Sequence, residues 1–263
     1  MGLVMGEVIS SRHSDYVVGD WLMARIAWEE YSVADDSQFI VKIDSSEPYP
    51  MNYYLGVLGD TGLSAYFGMA DIGKPQPGET VLVSAAGGAV GSIAGQIARI
   101  YGARAVGIVG TKAKADRLVA ELDYDDVIVH TGNLDEQLRA TCPEGVDVYF
   151  DNVGGEMLDA AILNMKPKGR IVVSGQVSEY NREKPVGMRQ TTRFITHRLR
   201  MEGLVVYDYA KQFPEAQAAM AALIRDGKLA YKEDISEGIK DAPSEYAALF
   251  AGANFGRRLI KTI

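Results

Sequence analysis

Residues 80–91 read TVLVSAAGGAVG and constrain the fold more than any other stretch of the chain. A β-branched apolar run, Val81, Leu82 and Val83, stops at a cluster of small residues. That cluster opens directly into the helical pattern SIAGQIARIY. Ala86, Gly88 and Gly91 take the three positions of a G-x-G-x-x-G fingerprint, with alanine at the first. The first small residue lets the chain turn sharply out of the strand. The second lets the backbone approach a pyrophosphate, and the third lets the helix pack close to the sheet. The free N–H groups at the helix start, with the helix dipole behind them, then face an anion.

From residue 80 onward the chain alternates strand and helix. Short β-rich apolar runs place strands at Val81–Ser84, Ala105–Val109, Val127–His130, Val146–Phe150, Ile171–Ser174 and Leu204–Tyr207, as expected of parallel strands covered on both faces. Helical patterns fall at Ser92–Tyr101, Lys112–Glu121, Leu134–Ala140, Met157–Met165 and Pro214–Asp226. In the first of these, Ile93, Ile97 and Ile100 recur at helical spacing and predict one buried face. Six strands with alternating helices make a doubly wound, parallel six-stranded Rossmann sheet of the α/β class. Residues 1–45 read instead as short β-like pieces between turns, and the end, ALFAGANFGRRLIKTI, closes on another strand-like run. The two chain ends are expected to meet in a partial, mostly antiparallel β domain formed by residues 1–50 and 228–263, with 51–227 as the dinucleotide-binding domain.

Composition excludes several function classes. A formal net charge of −8 argues against a nucleic-acid surface. No apolar run approaches the roughly 18 residues of a membrane-spanning helix. The N-terminus lacks the basic start and long apolar core of a signal peptide, and the single cysteine, Cys142, has no internal disulfide partner, so a cytoplasmic protein is expected. Cys142, His13, His130 and His197 show no short-range ligand spacing, so no zinc site is expected and each is read as a surface or packing residue.

An NAD site normally carries an acid about 20 residues past the glycines, where it holds the ribose 2′-hydroxyl. Here the second strand runs into Gly110, Thr111, Lys112, Ala113 and Lys114, with no acid. A hydroxyl and two ammonium groups attract a 2′-phosphate, which favours NADP.

Ordered blocks along nearly the whole chain carry a family resemblance. They are GEVISSRHSDYVVGD, LGVLGDTGLSAYFGMADIGKPQPGETVLVSAAGGAVGS, GVDVYFDNVGGEMLDAAI, KGRIVVSGQVSEYN, EGLVVYDY and GANFGRRLIK. The chain resembles the zinc-independent medium-chain dehydrogenases/reductases, and within them the NADP-dependent alkenal/prostaglandin reductase branch, which includes curcumin-reductase-like enzymes. The resemblance implies a GroES-like catalytic domain beside the Rossmann sheet, NADP(H) as cofactor and a homodimer. The family's phosphate-binding turn falls on Gly88, Ala89, Val90 and Gly91, and its 2′-phosphate lysine on Lys114, with Thr111 beside it. Its D-N-V-G-G asparagine is Asn152. The nicotinamide-lining stretch falls on Ser174, Gly175, Gln176, Val177, Ser178 and Tyr180. Leu204, Val205 and Val206 match a further cofactor-contacting strand, and Asn254 matches an asparagine near the phosphates.

In the implied reaction, hydride passes from NADPH to the β-carbon of an α,β-unsaturated ketone or aldehyde, and charge develops on the carbonyl oxygen. Tyr180 is the expected catalytic side chain, its phenol donating a hydrogen bond that strengthens as the enolate forms. The pair Tyr180–Asn181 favours this branch over a quinone reductase of the same superfamily. A third alternative is a nucleotide-binding relative without turnover. Three departures from the family pattern bear on these expectations. Members begin well before residue 1, so part of the substrate-side domain is expected to be missing. His130 or Thr131 stands where relatives carry a tyrosine near the 2′-phosphate, and Gly87 stands where they often carry serine or alanine.

Overall fold

Uninterrupted apolar β-branched runs have both faces to bury, and they form the centre of the structure. The computed structural model describes residues 2–43 and 48–263. Its main sheet is six-stranded and parallel: β4 (Thr80–Val83), β5 (Arg104–Val109), β6 (Asp126–Val129), β7 (Val146–Asp151), β8 (Met165–Val173) and β9 (Arg200–Gly203). The order across the sheet is β6-β5-β4-β7-β8-β9. The chain therefore winds outward from β4 in one direction, returns to β7 and winds outward in the other, which is the doubly wound topology expected.

Alternate residues of each central strand serve opposite layers. Val81 and Val83 join the layer of α2 (Gly91–Ile100) and α3 (Lys112–Leu122), while Val148, Phe150 and Val172 in the same layer lie against the helical turn Gly68–Gly73. Leu82, Val106, Ile108, Tyr149 and Ile171 pack under α4 (Leu134–Thr141) and α5 (Gly155–Leu163). Within α2, Ile93 and Ile97 are buried as the spacing predicts, whereas Ile100, the last residue of the helix, is 40% exposed. Tyr124, at the start of the turn into β6, reaches across the same layer and donates to the Gly91 carbonyl at 2.6 Å. A side chain at Gly95 would fall inside the Tyr124 ring, so α2 lies this close to the sheet only because residue 95 has none.

Two expected elements are corrected. The sixth strand is not Leu204–Tyr207; it is Arg200–Gly203, and Val206–Gln212 is a 3₁₀ turn. As the edge of the sheet, β9 has little to bury and is polar, while the apolar run after it turns inward, where Val206 joins Leu63, Phe67 and Ala216 in a separate cluster. The helix expected to reach Met165 ends at Leu163, and Met165 opens β8.

At the N-terminus, β1 (Gly2–Glu7), β2 (Trp21–Ile26) and β3 (Ile40–Ile43) form an antiparallel sheet in that order. At the C-terminus, β10 (Glu233–Glu237) and β11 (Arg257–Lys261) pair in parallel as a separate two-stranded sheet. Between them in sequence lies α8 (Ala242–Phe250), whose Tyr246 meets Trp28 edge to face and so links the two chain ends. The helices α1 (Asp60–Phe67), α6 (Thr192–Thr196) and α7 (Phe213–Arg225) complete the set. Among the described residues no helix is long and apolar enough to cross a membrane.

The Tyr124 slot carries a direct test. Gly95→Ala should lower stability by about 1–3 kcal/mol, read as a reduced denaturant midpoint with unchanged slope. An unchanged midpoint would contradict the packing described.

Candidate active site

The reversal of winding leaves the C-terminal ends of β4 and β7 diverging at a crevice, the position where open α/β sheets bind ligands. The turn after β4 forms one wall. Ala85 holds a left-handed φ of 47°, the Gly88 N–H donates to the Ala85 carbonyl at 2.9 Å, and among the described residues the N–H groups of Ala89 and Val90 find no backbone acceptor. A Cβ at Gly91 would stand 2.5 Å from the Ala85 carbonyl oxygen and 2.8 Å from the Ala86 Cα. The third glycine of the fingerprint is therefore the one the geometry requires most strictly. Two unpaired amides at the start of α2, backed by its dipole, make an anion-binding concavity.

The C-terminal segment closes on this turn. Gly256 forms a bridge with Gly88 and donates its N–H to the Gly87 carbonyl at 2.8 Å. Asn254 is buried, and its Nδ2 donates to the Gly256 carbonyl at 2.8 Å, so its side chain shapes the segment from within. Lys114 lies across the same seam. Its stem passes Gly87, and its Nζ donates to the Gly252 carbonyl at 2.5 Å. Burial pulls the Lys114 ammonium below the ordinary lysine value, with Asp234 opposing the shift. Thr111 caps α3, its Oγ1 accepting from the Lys114 N–H at 3.3 Å. His130 and Thr131 are exposed beyond β6.

The other wall is a pair of loops after β7 and β8, held together like a short ladder. Ser174 and Gly175 donate to the Asp151 carbonyl, Val177 to that of Asn152 and Ser178 to that of Val153. Asn152 is fixed from β4: its N–H donates to Ser84 Oγ at 2.8 Å and its Nδ2 to the Ser84 carbonyl at 2.7 Å. Tyr180 folds back over this loop, 64% exposed, and its hydroxyl oxygen accepts from the Gln176 N–H at 3.1 Å. The phenol proton remains available to an acceptor in the crevice.

The structure thus brings Gly88, Ala89, Val90, Gly91, Lys114 and Asn254 to one wall and Asn152, Ser174, Gly175, Gln176, Val177, Ser178 and Tyr180 to the other. It does not place the three residues of the sixth-strand expectation alike. Leu204 continues the sheet, its N–H donating to the Val173 carbonyl, Val205 is exposed, and the Val206 side chain is committed to a core cluster.

Three residues of the crevice were not anticipated. Ser84 and Asp151 are fully buried between the strand ends. Asp151 Oδ1 accepts from Tyr149 Oη at 2.8 Å, Val153 N at 3.0 Å, Gly154 N at 2.9 Å and Ser84 Oγ at 3.2 Å. Arg257 follows the Gly88–Gly256 bridge and has a buried Nε without a partner. Burial lowers its affinity for a proton, against the attraction of Tyr231, Asp60 and Glu233. Its neighbour Arg258, on the opposite strand face, is paired with both Asp234 and Glu245. The sequence signals are slight: an acid ending an apolar strand (VDVYFD), and a basic residue directly after GANFG.

Among the described residues no group of three or more His, Cys, Asp or Glu is placed to hold a metal. His13 pairs with Asp36, His197 lies against Arg193 and Thr196, and Cys142 is buried beside Arg104.

Comparison with known proteins agrees with this geometry. A family model described as zinc-binding dehydrogenase matches residues 89–222. The chain is 43% identical to YfmJ of Bacillus subtilis, over 99% of this chain and 77% of that protein. It is 39% identical to an NADP-dependent 2-alkenal reductase of Nicotiana tabacum, over 98% of this chain and 76% of that one. The chain belongs to the zinc-independent medium-chain dehydrogenase/reductase family. Within the family it falls with the NADP-dependent alkenal and curcumin reductases. The crystal structure of CurA from Vibrio vulnificus in complex with NADPH superposes with a TM-score of 0.92 at 34% identity, covering 100% of this chain and 79% of that one.

Ser84→Ala removes the acceptor of the Asn152 amide and one of four donors to Asp151. It should cost about 1–3 kcal/mol, because the half-buried Asn152 amide loses its acceptor and the Asp151 carboxylate one of its donors. Faster hydrogen exchange at the Asn152 amide should accompany the lower denaturation midpoint, and native exchange there would contradict the assignment.

Proposed function

We propose that the chain is an NADPH-dependent oxidoreductase that reduces the carbon–carbon double bond of α,β-unsaturated aldehydes and ketones. The observation that carries this reading is the crevice itself: a glycine turn with free amides and a cation on one wall, and a phenol with an available proton on the other. The cofactor fits the residues present. Gly88, Ala89, Val90 and Gly91 would take the pyrophosphate. Lys114, with Thr111 beside it, would take the 2′-phosphate. Asn152, Ser174, Gly175, Gln176, Val177 and Ser178 would line the nicotinamide half, and Asn254 would shape the phosphate wall. Bound, NADPH would supply hydride to the substrate β-carbon, sending the π electrons toward the carbonyl oxygen.

Tyr180 then acts on that oxygen. Its own oxygen is held by the Gln176 N–H, which polarises the phenol and orients its proton outward. A hydrogen bond donated to the carbonyl strengthens as negative charge accumulates there, so it stabilises the transition state more than the ground state. Water supplies the proton that completes the α-carbon. The two loops behind Tyr180 form a ladder with each other, so the phenol is presented from a tied support.

The domain division follows the same reading, with 51–227 holding the cofactor and 1–50 with 228–263 flanking the substrate side. The open edge of β9 is proposed as the pairing surface of a homodimer.

Two outcomes test this function. Tyr180→Phe should lower kcat/KM for an aryl enone by roughly 10²–10³-fold while leaving the affinity for NADPH within about twofold. Lys114→Met should erase most of the preference for NADPH over NADH by weakening NADPH alone, a change of roughly tenfold or more in Kd by fluorescence titration. An enone rate unaffected by Tyr180→Phe would remove the phenol from the chemistry. Tight NADPH binding without oxidation over a panel of alkenals, enones and quinones would favour a binding protein without turnover.

A further inference from the structure

Asp151 is the last residue of β7, fully buried at the point where the winding reverses. Its carboxylate has no ion-pair partner among the described residues. All four groups that reach Oδ1 are neutral donors: the Tyr149 hydroxyl, the Ser84 hydroxyl and the amides of Val153 and Gly154. The second oxygen, Oδ2, is equally buried and has no partner among the described residues. Burying a carboxylate is costly, and the cost is normally met by a cation. The four hydrogen bonds, two of them from the amides that lead into α5, steady the carboxylate but bring no cation to it, so its field extends to whatever lies above the strand end.

The Asp151 carbonyl accepts from Ser174 and Gly175, and Asn152 follows directly. The carboxylate therefore lies beneath the loop pair on the β7–β8 side of the reversal. A dinucleotide crossing the reversal places its second half on this side. Its field is already felt locally, since the Tyr149 hydroxyl is pushed well above the ordinary phenol range by burial and by the Asp151 charge.

We propose that Asp151 tunes the redox state of the bound cofactor: its buried charge, met by neutral donors and by no cation, favours the cationic oxidised nicotinamide over the neutral reduced one, and so favours hydride donation. Loss of hydride turns a neutral dihydropyridine into a pyridinium cation, and the hydride and its electron pair leave for the acceptor. A fixed anion beneath the loops that would line the ring would stabilise the product of that change. The inference rests on the proposed NADP(H) site and concerns a property that site would have with any hydride acceptor.

The test is the ratio of dissociation constants, Kd(NADP⁺)/Kd(NADPH), measured by fluorescence titration on the full chain. Asp151→Asn and the smaller Asp151→Ser both remove the charge, and the second serves if the first does not fold. In a variant that melts cooperatively, the ratio should rise roughly tenfold, because NADP⁺ loses its partner charge while NADPH does not. Asp151→Glu keeps the charge and should stay within about threefold of the unmodified chain. An unchanged ratio in a folded neutral variant that still binds both forms would overturn the proposal. So would an equal change in the glutamate variant, which would assign the effect to packing. Failure of the unmodified chain to bind either form would instead overturn the cofactor reading beneath it.

Discussion

Parallel strands distant in sequence have no hairpin to align their ends, and β4 and β7 must nevertheless meet in register where the crevice opens. Ser84, Asp151 and Asn152 supply the alignment. Ser84 lies just past β4, accepts from the Asn152 amide and donates toward Asp151. Its carbonyl accepts from the Asn152 side chain, and the Asp151 carboxylate gathers the next two amides of the chain, those of Val153 and Gly154. Everything on the second wall descends from this knot, because the loop bearing Gln176 and Tyr180 is tied in turn to the carbonyls of Asp151, Asn152 and Val153. Ser84 and Asp151 are fully buried and Asn152 half-buried, so the bond between the first two is shielded from competition with water.

The two walls are electrically unlike. On the glycine side, the start of α2 and Lys114 present positive potential, the lysine bonded to the Gly252 carbonyl. On the other side lie a buried carboxylate and a phenol. This polarity suits a ligand anionic at one end and able to become cationic at the other. A dinucleotide with phosphates and a nicotinamide is such a ligand.

The centre of the fold was legible because its residues leave little choice. Val81, Leu82 and Val83 can be buried on both faces only inside a covered parallel sheet, and the small residues after them fit only a tight strand-to-helix turn. The edge was not legible. Apolarity pointed to Leu204–Tyr207 for the sixth strand, but an edge strand buries little, so Arg200–Gly203 could be polar, and the apolar residues went to a cluster with Leu63 and Phe67. Among the site residues, those with a steric or electrostatic requirement readable in one position, such as Gly91 and Lys114, were identified. Ser84 and Asp151 escaped because their importance lies in what they do for one another across the sheet. Each looks ordinary in its own strand. Arg257 escaped for a similar reason, since the groups around it, Tyr231, Asp60 and Glu233, come from elsewhere in the chain.

The most direct test of the central claim is the fate of the transferred hydrogen. The chain should be incubated with an aryl enone and NADPH deuterated at the transferred position, and the product read by NMR. The account predicts deuterium on the β-carbon and a solvent-derived hydrogen on the α-carbon, with the carbonyl intact. Deuterium on the carbonyl carbon, or product formation without transfer of label, would contradict it.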